Sequence, residues 1–297
     1  MSTSSNPPAS FISSHGELAR LEACFNNGQP CLVVGDSGYG KTTAVHTAAA
    51  TCGFDVVTVI GGGHLVAGDL VGRYHLAAHG SVFKPGPLTT AIRRAQRSDR
   101  AIVFFVDELA ELSVDVLLLL YPLLDDRRQL IAPVLKRPLQ APPNFAFCGA
   151  MNPRADRQAN TLPRALLGRC HMVEVRPLPM DKEIELICER TGLSRPLARN
   201  LVDCAHATRH MAESSIAAGV STRQVLRAAR ELVQGHPIEA VLDANFILPL
   251  ASDRKVQDRL RATLMFHWDV AERELSPSPE EVDDDTFESE VDLEEVA

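Results

Sequence analysis

Between Val33 and Val45 the chain reads VVGDSGYGKTTAV, and this stretch restricts the fold more than any other. Gly35, Gly40, Lys41 and Thr42 complete the pattern G-x-x-x-x-G-K-S/T. Before it, PCLVVG has the composition of a buried parallel strand; after it, KTTAVHTAAATCG reads as an alanine-rich helix ending at Cys52-Gly53. A loop joining such a strand to such a helix needs glycine, because the backbone must wrap closely enough for successive N–H groups to converge on phosphate oxygens. The positive end of the helix lies behind them. Gly35, Asp36, Ser37, Gly38, Tyr39, Gly40, Lys41, Thr42 and Thr43 are therefore expected to hold the phosphates of ATP. Lys41 would reach the β- and γ-phosphates, and the Thr42 hydroxyl would bind Mg²⁺.

Cleaving a triphosphate requires a carboxylate for the metal and a group that activates or orients water. AIVFFVDELAEL supplies both: an apolar strand, Ile102 to Val106, ending in Asp107-Glu108. Acids at the C-terminal edge of a parallel strand stand where the phosphate loop also stands. Asp107 is assigned to Mg²⁺ and Glu108 to the water-activating base. A third apolar run, NFAFCGAMNP, ends in Asn152, a strand-end amide able to orient the attacking water near the γ-phosphate. Taken alone, Asn-Pro is also a turn signal.

FDVVTVIGG (Phe54 to Gly62) and CHMVEVRP (Cys170 to Pro177) add two more strands, with helices between, so the fold class is α/β with a parallel sheet flanked by helices. HGELARLEACFNNGQ reads as an amphipathic helix leading into the first strand, and LSVDVLLLLYPLLDD as a helix that Ser113 could cap. From Asp181 the signals are helical: DKEIELICERTG, RPLARNLVDCAHATRHMAES, STRQVLRAARELVQG, PIEAVLDANFI and SDRKVQDRLRATLMFHWDV. The expected organisation is a flexible arm over 1–10, a nucleotide-binding core over 11–177, a small all-α lid with an extra C-terminal helix over 178–275, and a disordered acidic tail over 276–297.

Charge sharpens this division. The net charge is −8, yet ten acidic and no basic residues fall between Glu280 and Ala297, so the remainder carries about +2. A near-neutral body without a dense basic stripe argues against a nucleic-acid partner, although Arg93, Arg94, Arg97 and Arg100 cluster. The tail is either a partner-binding arm or a solubilising end. The longest apolar run, Val116 to Leu124, is far short of a membrane span, and no charged-then-apolar segment opens the chain. Seven scattered cysteines without a CxxC pair point to a reduced, cytoplasmic protein without a zinc site. His206 and His210, four apart, read as packed or solvated helix residues.

The order of loop, acid pair and strand-end asparagine resembles the AAA+ ATPases, and in particular the MoxR-type branch with CbbQ, NorQ and GvpN proteins, related to dynein and midasin modules. Three stretches carry the likeness: Gly68 to Ala95, similar to an insert inside the second core helix; Leu123 to Pro153, similar to the hairpin and sensor strand; and Ala159 to Pro179, similar to the segment bearing the arginine finger. The resemblance runs from Gln29 to Leu232. It implies a P-loop NTPase (AAA+) fold, Mg²⁺-dependent ATP hydrolysis and assembly into a ring, a hexamer. Arg169 would be the finger reaching the neighbour's site, with Arg164 as competitor, and Arg223 a second sensor on the γ-phosphate of its own chain. Gly168, Cys170 and Ala110 depart from the usual pattern without removing a catalytic group. The branch further implies a protein client that is remodelled or activated, beside a von Willebrand A domain partner. The insert and the Gln129–Gln140 hairpin would face that client. A nucleotide-gated scaffold with little turnover and a nucleic-acid motor remain as alternatives.

Overall fold

Along the strand Ile102–Asp107, successive side chains face opposite directions, as a pleated backbone requires. Ile102, Phe104 and Val106 enter one hydrophobic core, Val103 and Phe105 another. The same alternation holds at Leu32 against Cys31 and Val33, and at Phe145 and Phe147 against Ala146 and Cys148. These strands are covered on both faces, which is why they read as unbroken apolar runs.

The computed structural model describes residues 11–77, 80–98, 100–152, 162–212 and 218–275, without the side chains of 77 and 269–275. The arm over 1–10 and the acidic tail over 276–297 lie outside the described residues. The five runs read as strands form one parallel sheet: β1 (Cys31–Val34), β2 (Asp55–Ile60), β5 (Ile102–Asp107), β8 (Phe145–Met151) and β9 (His171–Glu174), in the order β2-β5-β8-β1-β9. Register aligns the functional ends: Val34 pairs with Met151, and Ile60 with Asp107. The strand after which the glycine loop begins is thus flanked by the strand leading to Asn152.

Two helices cover one face. α1 (Glu17–Asn26) places Leu21, Cys24 and Phe25 on the sheet, and α2 (Lys41–Thr51) presents Ala44, Ala48 and Ala49. The small side chains of α2 meet the equally small Ala146, Cys148 and Ala150, which lets the helix lie close to the strands. The other face packs the short α3 (Ala67–Val71), α4 (Pro87–Arg97) and α5 (Val114–Leu124). Between α3 and α4 lies a two-stranded hairpin, β3 (Gly72–Ala77) with β4 (Gly80–Pro85). A second hairpin pairs β6 (Gln129–Leu130) with β7 (Leu139–Gln140). Ser113 stands at the N-cap position of α5, but its side chain makes no capping hydrogen bond.

After α6 (Arg164–Leu167) and β9 the elements among the described residues are all helical: α7 (Met180–Thr191), α8 (Arg195–Met211), α9 (Thr222–Val233), α10 (Ile238–Leu242), a π turn over Asp243–Ile247, and α11 (Arg254–Leu275). These build a separate core from Ile187, Leu201, Val225, Phe246, Leu264 and Trp268, among others. No helix among the described residues is long and apolar enough to cross a membrane.

Candidate nucleotide-binding site

The glycine loop has the geometry its composition requires. Gly38 and Gly40 adopt positive φ, +85° and +91°, where a side chain would be strained. Gly35 is glycine for another reason: a Cβ there would stand 2.3 Å from the Val175 carbonyl oxygen just beyond β9. Lys41 opens α2 and curls back over the loop, its Nζ donating to the carbonyls of Gly35 at 2.7 Å and Asp36 at 3.0 Å. Burial lowers the pKa of its ammonium, reinforced by Arg223 and opposed by Asp107 and Asp36. A cation held by neutral carbonyls within a glycine-lined cleft suits an incoming polyphosphate, which offers it charged oxygens.

The acid pair arrives from β5. Thr42 Oγ1 donates to Asp107 Oδ2 at 2.7 Å, so the two oxygens assigned to Mg²⁺ are already adjacent. Hydroxyl and carboxylate oxygens are the hard donors such an ion takes, alongside phosphate and water. Glu108 is exposed and sits in the left-handed region at φ 55°, ψ 47°, where a 3₁₀ turn over Leu109–Glu111 begins. That kink ends the strand and delivers Glu108 to the cleft rim. One cleft is lined by Ser37, Gly38, Gly40, Lys41, Thr42, Thr43, Asp107, Glu108, Asn152 and, from the lid, Arg223. Loop, acid pair, strand-end amide and lid arginine thus converge, although they span residues 37 to 223.

The remaining loop residues lie elsewhere. The carbonyls of Gly35 and Asp36 hold Lys41, whereas Tyr39 lines a second cleft that shares Gly38, Gly40, Thr43 and Arg223 with the first. This second cleft places Phe11, Ile12, Leu178, Leu186 and Leu226 around Gly38 to Gly40, with Thr222, Arg190, Arg223 and Arg230 in the same lining. Apolar side chains beside arginines can take the flat face of a nucleoside and the phosphates that follow it. The Phe11 ring backs the loop so closely that a Cβ on Gly40 would stand 3.3 Å from it, and the Phe11 N–H donates to Thr47 Oγ1 at 3.2 Å. Sequence reasoning missed these residues. The signal was the pair Phe11-Ile12 in an otherwise polar stretch.

Arg169 does not line either cleft of its own chain. It is held at the end of α5: its guanidinium carbon lies 5.0 Å above the Tyr121 ring, Nη1 donates to the Ala165 carbonyl at 2.6 Å, and Nε lies 3.9 Å from Asp125 Oδ2. Arg164 begins α6 and is exposed. His206 packs toward Glu183, Nε2 at 3.5 Å from Oε2. Among the described residues no group of three or more His, Cys, Asp or Glu could hold a metal.

The strand order, the glycine loop and the helical lid above it are those of a P-loop ATPase of the AAA+ class. Comparison with known proteins agrees. Residues 30–170 match the family model of the AAA domain, dynein-related subfamily, and residues 183–265 that of the CbbQ/NirQ/NorQ C-terminal region. The chain is 32% identical to protein NorQ of Paracoccus denitrificans over 251 residues, covering 84% of this chain and 91% of that one. It is 28% identical to protein CbbQ of Hydrogenophilus thermoluteolus, over 83% of this chain and 90% of that one. RuvB of Thermotoga maritima, a Holliday junction branch migration motor, shares the fold alone, with a TM-score of 0.51 at 16% identity, over 86% of this chain and 72% of that one. The chain belongs to the CbbQ/NirQ/NorQ family of MoxR-type AAA+ ATPases.

Proposed function

We propose that the protein is a Mg²⁺-dependent ATPase that works as a ring, a hexamer, and couples hydrolysis to the remodelling or activation of a protein client. The observation that carries this reading is the 2.7 Å bond between Thr42 and Asp107 in the same cleft as Lys41, Glu108, Asn152 and Arg223. When bound, Mg²⁺ draws charge from the β- and γ-phosphate oxygens. Thr42 and Asp107 would hold it, Lys41 would leave its loop carbonyls for the phosphates, and Glu108 would take a proton from the attacking water that Asn152 orients. Arg223 would meet the γ-phosphate from the lid. The core over 11–177 then carries the chemistry and the lid over 178–275 reports it.

Support for a shared site comes from Arg169, which lines neither of these clefts and lies over the Tyr121 ring beside Asp125, bonded to the Ala165 carbonyl. An arginine supplied by a neighbour neutralises charge that develops during phosphoryl transfer. Arg169 is preferred over Arg164 because Arg169 is braced, whereas Arg164 is exposed at a helix start. For the client, the β3–β4 hairpin exposes Tyr74, Val82 and Leu76, the last 93% exposed, an apolar tip suited to gripping a polypeptide. A partner bearing a von Willebrand A domain, as the family resemblance implies, fits the same scheme. Seven cysteines, all unpaired, support a reducing, cytoplasmic setting.

The test is ATP turnover against protein concentration for wild type, Glu108→Gln and Arg169→Ala, with particle size measured with and without ATP. Turnover should rise with concentration, and both variants should lose it. Mixing Arg169→Ala with Lys41→Ala should restore part of it, because each supplies what the other lacks. A wild type that assembles with ATP yet turns over no faster than Glu108→Gln would instead be a nucleotide-gated scaffold.

A further inference from the structure

Glu183 is a carboxylate with 0% exposure in the first helix of the lid, outside both clefts. Its oxygens accept a two-pronged bond from Arg209 on α8, Nη1 at 2.7 Å and Nη2 at 2.8 Å, and a third bond from Thr222 Oγ1 at 2.7 Å, where α9 begins. Arg209 also donates through Nε to the Val220 carbonyl at 2.7 Å. Its guanidinium carbon lies 5.6 Å over the ring of Tyr39, and Tyr39 belongs to the glycine loop. One buried ion pair therefore touches three lid helices and the phosphate loop together. Two close approaches tighten the joint: a Cβ on Gly38 would stand 2.5 Å from Ser221 Oγ, and one on Gly219 would stand 2.6 Å from the Arg209 Cα.

A buried ion pair adds little net stability over apolar side chains of the same volume, and the lid already has an apolar core of its own. What the pair adds is direction. Apolar contacts tolerate a helix rotating by some degrees, whereas a forked guanidinium on a carboxylate does not. The helix held in this way is α9, and Arg223 is its second residue, one step beyond Thr222.

We propose that Glu183 and Arg209 are positioning residues: they fix the start of α9, and with it Arg223, against the glycine loop through Tyr39, so that the lid distinguishes a triphosphate from a diphosphate. The proposal rests on the reading of Arg223 as a γ-phosphate contact.

The experiment compares ATP and ADP affinity by titration calorimetry in a Glu108→Gln background, so that neither outcome depends on turnover. Arg209→Lys keeps the charge and loses the fork; Thr222→Val removes one hydroxyl; Thr222→Ser restores it. Arg209→Lys and Thr222→Val should each lower the preference for ATP over ADP about tenfold, the worth of one hydrogen bond to a charged group. ADP affinity should fall far less than ATP affinity, even for Thr222→Val, whose side chain also borders the second cleft, and Thr222→Ser should keep the preference. Arg223→Ala should produce the same loss, and adding Thr222→Val to it should lower the preference no further.

The proposal is overturned if Arg209→Lys and Thr222→Val keep the full preference, if they weaken ATP and ADP equally, or if their effects add in full to Arg223→Ala. Thermal melting separates folding from binding, and if Arg209→Lys does not fold, Thr222→Val against Thr222→Ser decides alone. If Arg223→Ala itself changes nothing, the assigned role of Arg223 has failed. A selective loss of ATP in the other two variants then leaves the pair positioning the loop through Tyr39, and no loss overturns both.

Discussion

Around the sheet, the side chains buried against the strands are aliphatic, aromatic or cysteine, and the polar residues buried in that part of the chain, Glu17 and Thr89, bond nearby groups: Glu17 its own turn at Ser13 to His15, Thr89 the carbonyl of Val71. The lid buries Glu183 and Asn245 among its apolar residues: the Asn245 amide bonds Arg227, Glu231 and the Val241 carbonyl, and Glu183 joins three helices. The difference follows from how each part sets geometry. A parallel sheet fixes the spacing of Thr42, Asp107, Glu108 and Asn152 through backbone register, so its core need only be apolar and full. A helical bundle has no such ladder, and here it sets angles with polar contacts satisfied in one arrangement, such as those of Glu183 and Asn245.

The largest effects should look alike in size and differ in kind. Phe104→Ala in the sheet and Glu183→Ala in the lid should each lower stability by about 3–5 kcal/mol in urea denaturation, the first through a cavity and the second through an unpaired Arg209. They part in the repaired versions. Glu183→Leu with Arg209→Met should regain most of that stability, to within about 1 kcal/mol of wild type, without regaining the preference for ATP. If stability does not return, the pair holds the lid together rather than directing it.

Next in size, Glu108→Gln should slow ATP turnover by about a hundredfold or more while leaving ATP binding nearly intact, read in a steady-state assay against calorimetry. An acid response should then single out the lid. Burial raises the pKa of Glu183, but the bonds from Arg209 and Thr222, the Arg209 charge and the nearby His206 ring outweigh it, so the pKa falls from its ordinary 4.5 to about 2. A depressed carboxylate contributes its stability in full above about pH 4.5 and loses it as pH falls toward 2. Urea midpoints measured between those limits should therefore fall more steeply for wild type than for the Glu183→Leu, Arg209→Met chain. The smallest effect contrasts two caps. Ser221 forms a reciprocal capping box with Gln224 and Ser113 forms none, so Ser221→Ala should cost about 1 kcal/mol and Ser113→Ala less than about 0.5 kcal/mol.

What could be read from the sequence follows the same divide. The glycine loop, the acid pair and the five strands are local patterns, each contained in about a dozen residues, and their convergence follows from the rule that strand ends of a parallel sheet share an edge. Glu183 and Arg209 are 26 residues apart. Each sits in a helix whose composition alone suits a solvated charge, and nothing local marks either as buried. The cleft beside Tyr39 was hidden for a related reason: Phe11 and Leu226 meet across most of the chain. The lone apolar pair before α1 gave no indication of what it packs against.

Gly61, just beyond β2, has a consequence for anyone redesigning this chain. It is buried, its N–H donates to the Asp107 carbonyl at 2.7 Å, and a Cβ on it would stand 2.1 Å from the Glu108 carbonyl oxygen. The left-handed turn at Glu108, which a non-glycine residue adopts at about 1 kcal/mol or more, has room only because the adjoining strand ends in a residue without a side chain. A single methyl group introduced at position 61 would press on the backbone of the residue assigned to activate water, although Gly61 itself carries no chemistry. Gly61 is in that sense a mould for Glu108, and a library that varies the catalytic loop while treating the end of β2 as neutral scaffold would be changing the mould unawares.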